Sequence, residues 1–334
     1  MENDEKVIRR ALILSSSVSA LIALGIIISV ILLGGKEEEI QIDEAEVTGP
    51  RPRAVVVAPT ILLTDITAQS GIEFSHTNGA YGSRMLPETM GGGVAFFDYN
   101  NDTHQDLLLI NSTNWPWQEQ SSEGVGSKLY RGNGDGTFED VTEQTGLKLE
   151  NYGMGVAVGD YDGDGWSDIF LTAVGSNLLL KNIGGNHFKD VTQTQGVAGS
   201  EESWSTSAAF FDFDRDGDLD LFVCNYVVWS KTINESVDYR LTGLGSAYGP
   251  PTDFAGTNSV LYRNDGGKFS DVSADAGVQV TSELSGEPVG KGLAVHPLDV
   301  NGDGWLDVIV ANDTVRNFLF INQRNGKFEE SGVS

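Results

Sequence analysis

Residues 160–168 read Asp-Tyr-Asp-Gly-Asp-Gly-Trp-Ser-Asp, and residues 212–220 read Asp-Phe-Asp-Arg-Asp-Gly-Asp-Leu-Asp. Two further stretches keep the frame with substitutions, DYNNDTHQD at Asp98–Asp106 and DVNGDGWLD at Asp299–Asp307. Acidic or amide side chains stand at positions 1, 3, 5 and 9 of every copy. A hard cation such as Ca²⁺ takes six to eight oxygen ligands at once, and a tightly wound loop with this spacing can supply them. Position 7 offers a backbone carbonyl. Glycine at position 6 points to a turn with φ > 0. Without a cation, several carboxylates in so small a loop repel one another and raise some of their own pKa values.

The candidate ligands are therefore Asp98, Asn100, Asp102 and Asp106 with the His104 carbonyl, and Asp160, Asp162, Asp164 and Asp168 with that of Trp166. The third loop offers Asp212, Asp214, Asp216 and Asp220 with the Asp218 carbonyl. The fourth offers Asp299, Asn301, Asp303 and Asp307 with that of Trp305. Asn100 and Asn301 each remove one charge, and Thr103 replaces the glycine, so the second and third loops rank as the strongest sites and the first as the weakest.

Each loop is one part of a longer repeat. Ahead of it runs a strand of small and apolar residues: GGGVAFFD (91–98), GMGVAVGD (153–160), STSAAFFD (205–212) and GKGLAVHPLD (290–299). Behind it come DLLLIN (106–111), DIFLTA (168–173), DLFVCN (220–225) and DVIVAN (307–312), then KLYRGN (128–133), LLLKN (178–182), VLYRN (260–264) and FLFIN (318–322). A Gly/Asn-rich turn leads to Phe138, Phe188, Phe269 or Phe328, and DVTEQTGL, DVTQTQGV or DVSADAGV closes the first three units. Four short strands per unit, repeated at this interval, read as blades of a β-propeller with calcium loops between strands 1 and 2. The expected blades are about 61–138, 139–188, 189–269 and 270–328, with a further blade starting over 329–334. TDITAQSGI (64–72) is another copy of the closing segment, which would serve as an outer strand in a closed four-bladed ring. A chain that stops partway round a larger ring is the simpler expectation.

The chain carries 21 basic and 48 acidic residues, a net charge of −27. That composition argues against nucleic acid, whose binders need a basic face. Lys6, Arg9 and Arg10 precede Ala11–Leu33, which holds no charged residue. Twenty-three residues at ~1.5 Å rise cross a bilayer core, and no A-x-A cleavage site follows. The expectation is an uncleaved signal anchor over 11–35 rather than a removed signal peptide. Residues 1–10 are then cytoplasmic, 36–60 form a Pro- and acid-containing stalk, and the remainder lies outside the cytoplasm, periplasmic or on the cell surface. Cys224, the single cysteine, sits in an apolar run and reads as a buried core thiol.

Met90–Asp98, Tyr152–Ala157, YGPPTDFAGTNSVLYRN (248–264) and GKGLAV (290–295) together resemble the FG-GAP/VCBS repeats of integrin-like propellers. More narrowly they resemble the cartilage acidic protein family, whose bacterial members usually add an ASPIC/UnbV domain. The resemblance covers roughly 61–334. It implies a seven-bladed, calcium-stabilised propeller outside the cytoplasm with a role in adhesion or other binding.

Strand direction alternates within a blade, so the 2–3 and 4–1 connections emerge opposite the acidic loops. The long connections there carry Trp115, Trp117, Trp229 and Tyr248, and a 4–1 connection carries Trp204. These aromatics either form a recognition surface for a protein or glycan or pack as a lid over their own loops, and exposed Trp separates the two. No G-x-S-x-G elbow, HExxH, CxxC or P-loop is present. Glu88 and His76 are the one pair worth testing for glycoside chemistry. A calcium-binding recognition module is favoured over a purely structural one, and an enzyme comes third.

Overall fold

The computed structural model describes residues 62–119, 126–243 and 245–332, and the expected anchor and stalk lie outside them. Among the described residues no helix is long and apolar enough to cross a membrane. The described residues from 64 onward form one compact unit.

Four antiparallel sheets of four strands follow one another along the chain. Sheet 1 is built from β1 (Val94–Phe97), β2 (Asp106–Leu109), β3 (Lys128–Gly132) and β4 (Phe138–Asp140). Sheet 2 contains β5 (Tyr152–Gly159), β6 (Asp168–Val174), β7 (Leu178–Ile183) and β8 (His187–Asp190). Sheet 3 begins with β9 (Ser205–Phe211) and β10 (Asp220–Asn225). A long insertion then carries a two-stranded ribbon, β11 (Arg240–Leu241) and β12 (Gly245–Ser246), before β13 (Val260–Asn264) and β14 (Phe269–Asp271) complete the sheet. Sheet 4 consists of β15 (Gly292–Leu298), β16 (Asp307–Asn312), β17 (Phe318–Asn322) and β18 (Phe328–Glu330). Glu329 and Glu330, expected to open a further blade, pair with Ile321 and Phe320 in this fourth strand.

The first strands lie side by side in the order β1, β5, β9, β15. Small residues permit that approach. A Cβ added at Gly155 would sit 2.4 Å from the Thr206 carbonyl, and one at Gly93 would sit 2.9 Å from Gly155 Cα. Thr206 Oγ1 donates to the Gly292 carbonyl at 2.7 Å. Between neighbouring sheets the apolar side chains alternate by face. Ile169 and Leu171 pack toward Leu108 and Leu129 of sheet 1, while Phe170 packs with Leu221 and Val223 of sheet 3. Phe222 in turn meets Val308, Val310 and Phe320 of sheet 4. The flanks at the two ends are open: Val94 and Phe96 on β1 are 57% and 62% exposed.

The closing segments are single helical turns, at Thr67–Ser70, Thr192–Gln195 and Ser273–Ala276. Residues 64–72 therefore supply no outer strand. Gly71 instead abuts the Phe138 carbonyl, as Gly277 abuts that of Phe328. The D-V-T/S signature has a local cause. Asp190 Oδ1 accepts from Thr192 N, and Thr192 Oγ1 accepts from Leu179 N of the third strand. Asp140 with Thr142 and Asp271 with Ser273 repeat this clasp. Lys231–Val237 forms a seven-residue helix whose N-cap hydroxyl, Ser230 Oγ, accepts from Ile233 N.

An asparagine at the end of the third strand ties each sheet to the one before it. Asn182 Nδ2 donates to the Tyr99 carbonyl of the first acidic loop at 2.8 Å, Asn264 to Tyr161 at 2.6 Å and Asn322 to Phe213 at 2.8 Å. The same amides also hold the position-8 carbonyls of their own loops, Ser167, Leu219 and Leu306. Sheet 1 has Gly132 at this place, where a Cβ would lie 2.2 Å from the Gln105 carbonyl. Asn264→Ala strips the Tyr161 and Leu219 carbonyls of a buried donor, and we expect it to cost about 2–4 kcal/mol in urea unfolding. Asn101→Ala, which removes an exposed bond to the Gly165 carbonyl, should cost under about 1 kcal/mol.

Candidate functional site

The four acidic loops lie at one end of the sheets, linked in series by the asparagine clasps. Position 4 as well as position 6 is left-handed in every copy: φ is 55° at Asn101, 69° at Gly163, 64° at Arg215 and 73° at Gly302. Position 6 follows the expectation at Gly165, Gly217 and Gly304, and Thr103 accepts a φ of 73° that costs a β-branched residue strain.

The carboxylates divide into two roles. The position-1 side chain is wrapped by its own loop: Asp160 Oδ1 accepts from Asp164 N and Oδ2 from Gly165 N, with the same pattern at Asp98 and Asp299. Asp212 accepts instead from Arg215 N and Gly217 N. At position 5, Asp102, Asp164, Asp216 and Asp303 each accept from the position-7 N–H. Position 9 is fully buried in all four loops. One oxygen of Asp106, Asp168, Asp220 and Asp307 accepts from the position-2 N–H, and the other from the backbone N–H of Gly132, Asn182, Asn264 and Asn322 respectively. These residues anchor loop to strand whatever else they bind, a role the sequence frame alone does not distinguish from ligation.

Do the residues fit a cation? Carboxylate oxygens of Asp160, Asp162 and Asp168 lie within 4.8 Å of one another, as do those of Asp212, Asp214 and Asp216. Asp162 Oδ1 is buried without a hydrogen-bond donor, while its other oxygen meets the Lys181 ammonium, so one oxygen of this carboxylate stays open to a cation. The third loop thus gathers positions 1, 3 and 5, whereas the second gathers 1, 3 and 9. The donor set, hard oxygens with high negative charge, suits Ca²⁺. In the second loop the Lys181 ammonium contacts Asp162 and lies 3.0 Å from Asp164. Arg324 likewise pairs with Asp303 at 2.8 Å. These basic partners come from the third strand and the turn after it.

Burial, reinforced by the charges of Asp162 and Asp164, pushes the Asp168 carboxyl up to about 7. Asp220 reaches about 7 chiefly through burial, with Asp214 and Asp216 adding to it. Between about pH 4 and pH 7 the folded chain then holds protons that the unfolded chain has released, so its stability falls as pH rises through that window. Arg324 holds Asp303 below the ordinary carboxylate range; its contribution is lost only at lower pH. A divalent cation supplies the positive charge that those protons otherwise provide. We expect the protein in EDTA to melt at lower temperature at pH 7 than at pH 5, and millimolar Ca²⁺ to shrink or reverse that difference.

At the opposite end, the aromatics form one cluster with Met85, Leu86, Tyr226 and Phe254. Trp115, Trp204 and Trp229 are buried, which corrects their assignment as ligand contacts: the lid reading holds for these three. Trp115 stacks on Tyr152 at 4.2 Å and on Trp229 at 5.1 Å, and Trp117 stacks on its outer side at 5.0 Å. Trp117 and Tyr248 stay 40% and 38% exposed. Glu88, buried beneath them, accepts from Trp115 Nε1 at 3.0 Å and from the Tyr248 hydroxyl at 3.1 Å, so its carboxylate joins two loops. His76 packs beside Gly92, and burial pushes its imidazole pKa down. Cys224 is fully buried; desolvation pushes its thiol up to about 12 and leaves it unreactive.

The repeat matches the FG-GAP-like repeat model over residues 98–171, 160–223 and 299–334. The chain thus carries FG-GAP-like repeats over these segments. Among characterised proteins it is similar to cartilage acidic protein 1, 26% identical to the mouse protein over 201 residues and 27% to that of Xenopus tropicalis over 229. Those matches cover 52% and 67% of this chain but 31% and 29% of the relatives, so the chain spans about three tenths of their length. Among solved structures, a lectin from Agrocybe aegerita that recognises non-reducing terminal N-acetylglucosamine aligns with 72% of this chain and 65% of its own, at 16% identity and a TM-score of 0.31. The Tc holotoxin pore of Photorhabdus luminescens aligns with 72% of this chain and 9% of its own, at 16% identity and 0.32. Likeness at that level says nothing about ligands.

Proposed function

We propose that the four sheets are consecutive blades of a larger, seven-bladed propeller that serves as a calcium-stapled binding module. The acidic loops take Ca²⁺ at one face, through the side chains of positions 1, 3, 5 and 9 and the position-7 carbonyl, with position 9 also anchoring the loop to its strand. Recognition of a protein or glycan falls to the opposite face, where Trp117 and Tyr248 remain exposed on a rigid aromatic bed. The N-terminal segment over 11–35 holds the propeller outside the cytoplasm, where calcium is plentiful.

The observation that carries this reading is the donorless, buried Asp162 Oδ1 among three converging carboxylates. The open flanks of β1 and β15, with Val94, Phe96 and Leu298 exposed, favour a larger ring over a closed four-bladed one. No catalytic role is assigned, because both Glu88 oxygens are engaged by an indole and a phenol. Burial of Trp115, Trp204 and Trp229 favours a second reading, a purely structural calcium-rigidified module.

Ca²⁺ that binds only the folded loops raises stability by mass action. We expect EDTA to lower the melting temperature, and isothermal titration to show one site fewer in Asp164→Ala and in Asp216→Ala. An unchanged melt with and without Ca²⁺ excludes calcium as a staple. Capture of an extracellular partner that Trp117→Ala abolishes supports recognition; capture indifferent to Trp117→Ala and Tyr248→Ala leaves the structural reading.

A further inference from the structure

Sheets 1 and 3 carry the same tyrosine and the same acid in cross-strand register, Tyr130 opposite Asp140 and Tyr262 opposite Asp271. In sheet 1 both are satisfied from within. The Tyr130 hydroxyl donates to the Glu73 carbonyl at 2.5 Å, and Lys128 Nζ lies 2.7 Å from Asp140 Oδ2. In sheet 3 neither partner exists. Val260 replaces the lysine, and the Ala198 carbonyl, which stands at the place of Glu73's in the repeat, accepts from Asn177 N. Among the described residues, no donor pairs with Asp271 Oδ2 and no partner meets the Tyr262 hydroxyl. Tyr262 is only 7% exposed, yet its hydroxyl is not a buried orphan, and Asp271 is exposed. Both polar groups are therefore open to solvent, where a ligand can take the place of water.

Both groups face a cavity of about 330 Å³ between sheets 2 and 3, at the end away from the acidic loops. That volume lies at the low end of ligand sites. Its polar lining adds Asn177, Ser200 and Ser203, and its apolar lining Val223 and Val260. Asn177 Oδ1 accepts from Ala173 N, leaving its amide hydrogens for the cavity side. Asp271 Oδ1 is committed to Ser273, so Oδ2 is the free acceptor. Among the described residues, no Lys, Arg or His lines the space, which disfavours phosphate or carboxylate ligands. Desolvation holds the Tyr262 phenol up at about 12, so it stays a neutral donor and acceptor at any physiological pH.

The complementary ligand is uncharged, has one apolar face for Tyr262 and the valines, and carries several hydroxyls that both donate and accept. We propose that this cavity binds a neutral pyranose residue, with the Tyr262 hydroxyl and Asp271 Oδ2 as its fixed polar contacts. The site lies on the face assigned above to recognition and rests on that assignment only for its side of the molecule. It shares no residue with the acidic loops or with Trp117 and Tyr248.

The test is saturation-transfer NMR and calorimetry on the full chain with the methyl pyranosides of glucose, galactose and mannose. At least one should bind, and Tyr262→Phe should weaken it at least tenfold with the melting temperature held. Asp271→Asn should weaken it similarly, and Tyr130→Phe should leave it unchanged. Should Asp271→Asn disturb the Ser273 clasp and fail to fold, Tyr262→Phe decides alone. Absence of binding by all three pyranosides overturns the proposal. So does equal binding by Tyr262→Phe and Tyr130→Phe, or a cavity that takes tetramethylammonium and no sugar. Because Trp117→Ala leaves this cavity intact, loss of partner capture in that variant and loss of pyranoside binding in Tyr262→Phe report on separate readings.

Discussion

Everything at the acidic end of this protein depends on four aspartates that water does not reach. Asp106, Asp168, Asp220 and Asp307 each place both carboxylate oxygens on backbone N–H groups, one inside the loop and one on the third strand. A loop made of left-handed turns and repelling charges has little reason to hold one shape. The buried carboxylate gives it one, by tying the turn to a strand already fixed in the sheet. The arrangement has an electrostatic consequence. A buried acid beside two or three other acids is poorly solvated, and Asp168 and Asp220 are pushed toward neutrality for that reason. The structure meets part of the problem with Lys181 and Arg324. The proposed calcium would meet the rest.

The second organising contact is directional. Each asparagine clasp reaches back to the previous loop and never forward, so sheets 2, 3 and 4 are each hydrogen-bonded onto their predecessor. Packing follows the same nearest-neighbour logic, with odd positions of a strand buried against one sheet and even positions against the next. A strand such as Asp168–Val174 is therefore buried on both faces along nearly its whole length rather than on alternate residues.

The sheets were legible because four copies of one pattern constrain each other: strand order, the turn glycines and the crowded first strand all follow from the repeat. So did the grouping of acidic residues. Three features were harder to read. The D-V-T closing segments became helical turns, since a Thr hydroxyl that receives a strand amide leaves too few residues for anything longer. The aromatics of the long connections were visible as residues, but not the Glu88 carboxylate that joins two of them, 27 positions from Trp115 in sequence and 160 from Tyr248. The asparagine clasp did leave a trace, an Asn ending the third strand in three units and Gly132 in the first. A single comparison of those four positions would have found it.

The backward direction of the clasps also sets how the molecule answers force. Sheet 4 is held to the sheet before it by polar ties that include Asn322 to Phe213 and Arg215 to the Gly304 carbonyl. Once those bonds break, the exposed flank of sheet 3 presents the next set, Asn264 to Tyr161. Repeats that contact only their neighbours lose stability one interface at a time. An array built this way yields in steps, one sheet per step, and each step shortens the folded array while leaving the remaining acidic loops intact.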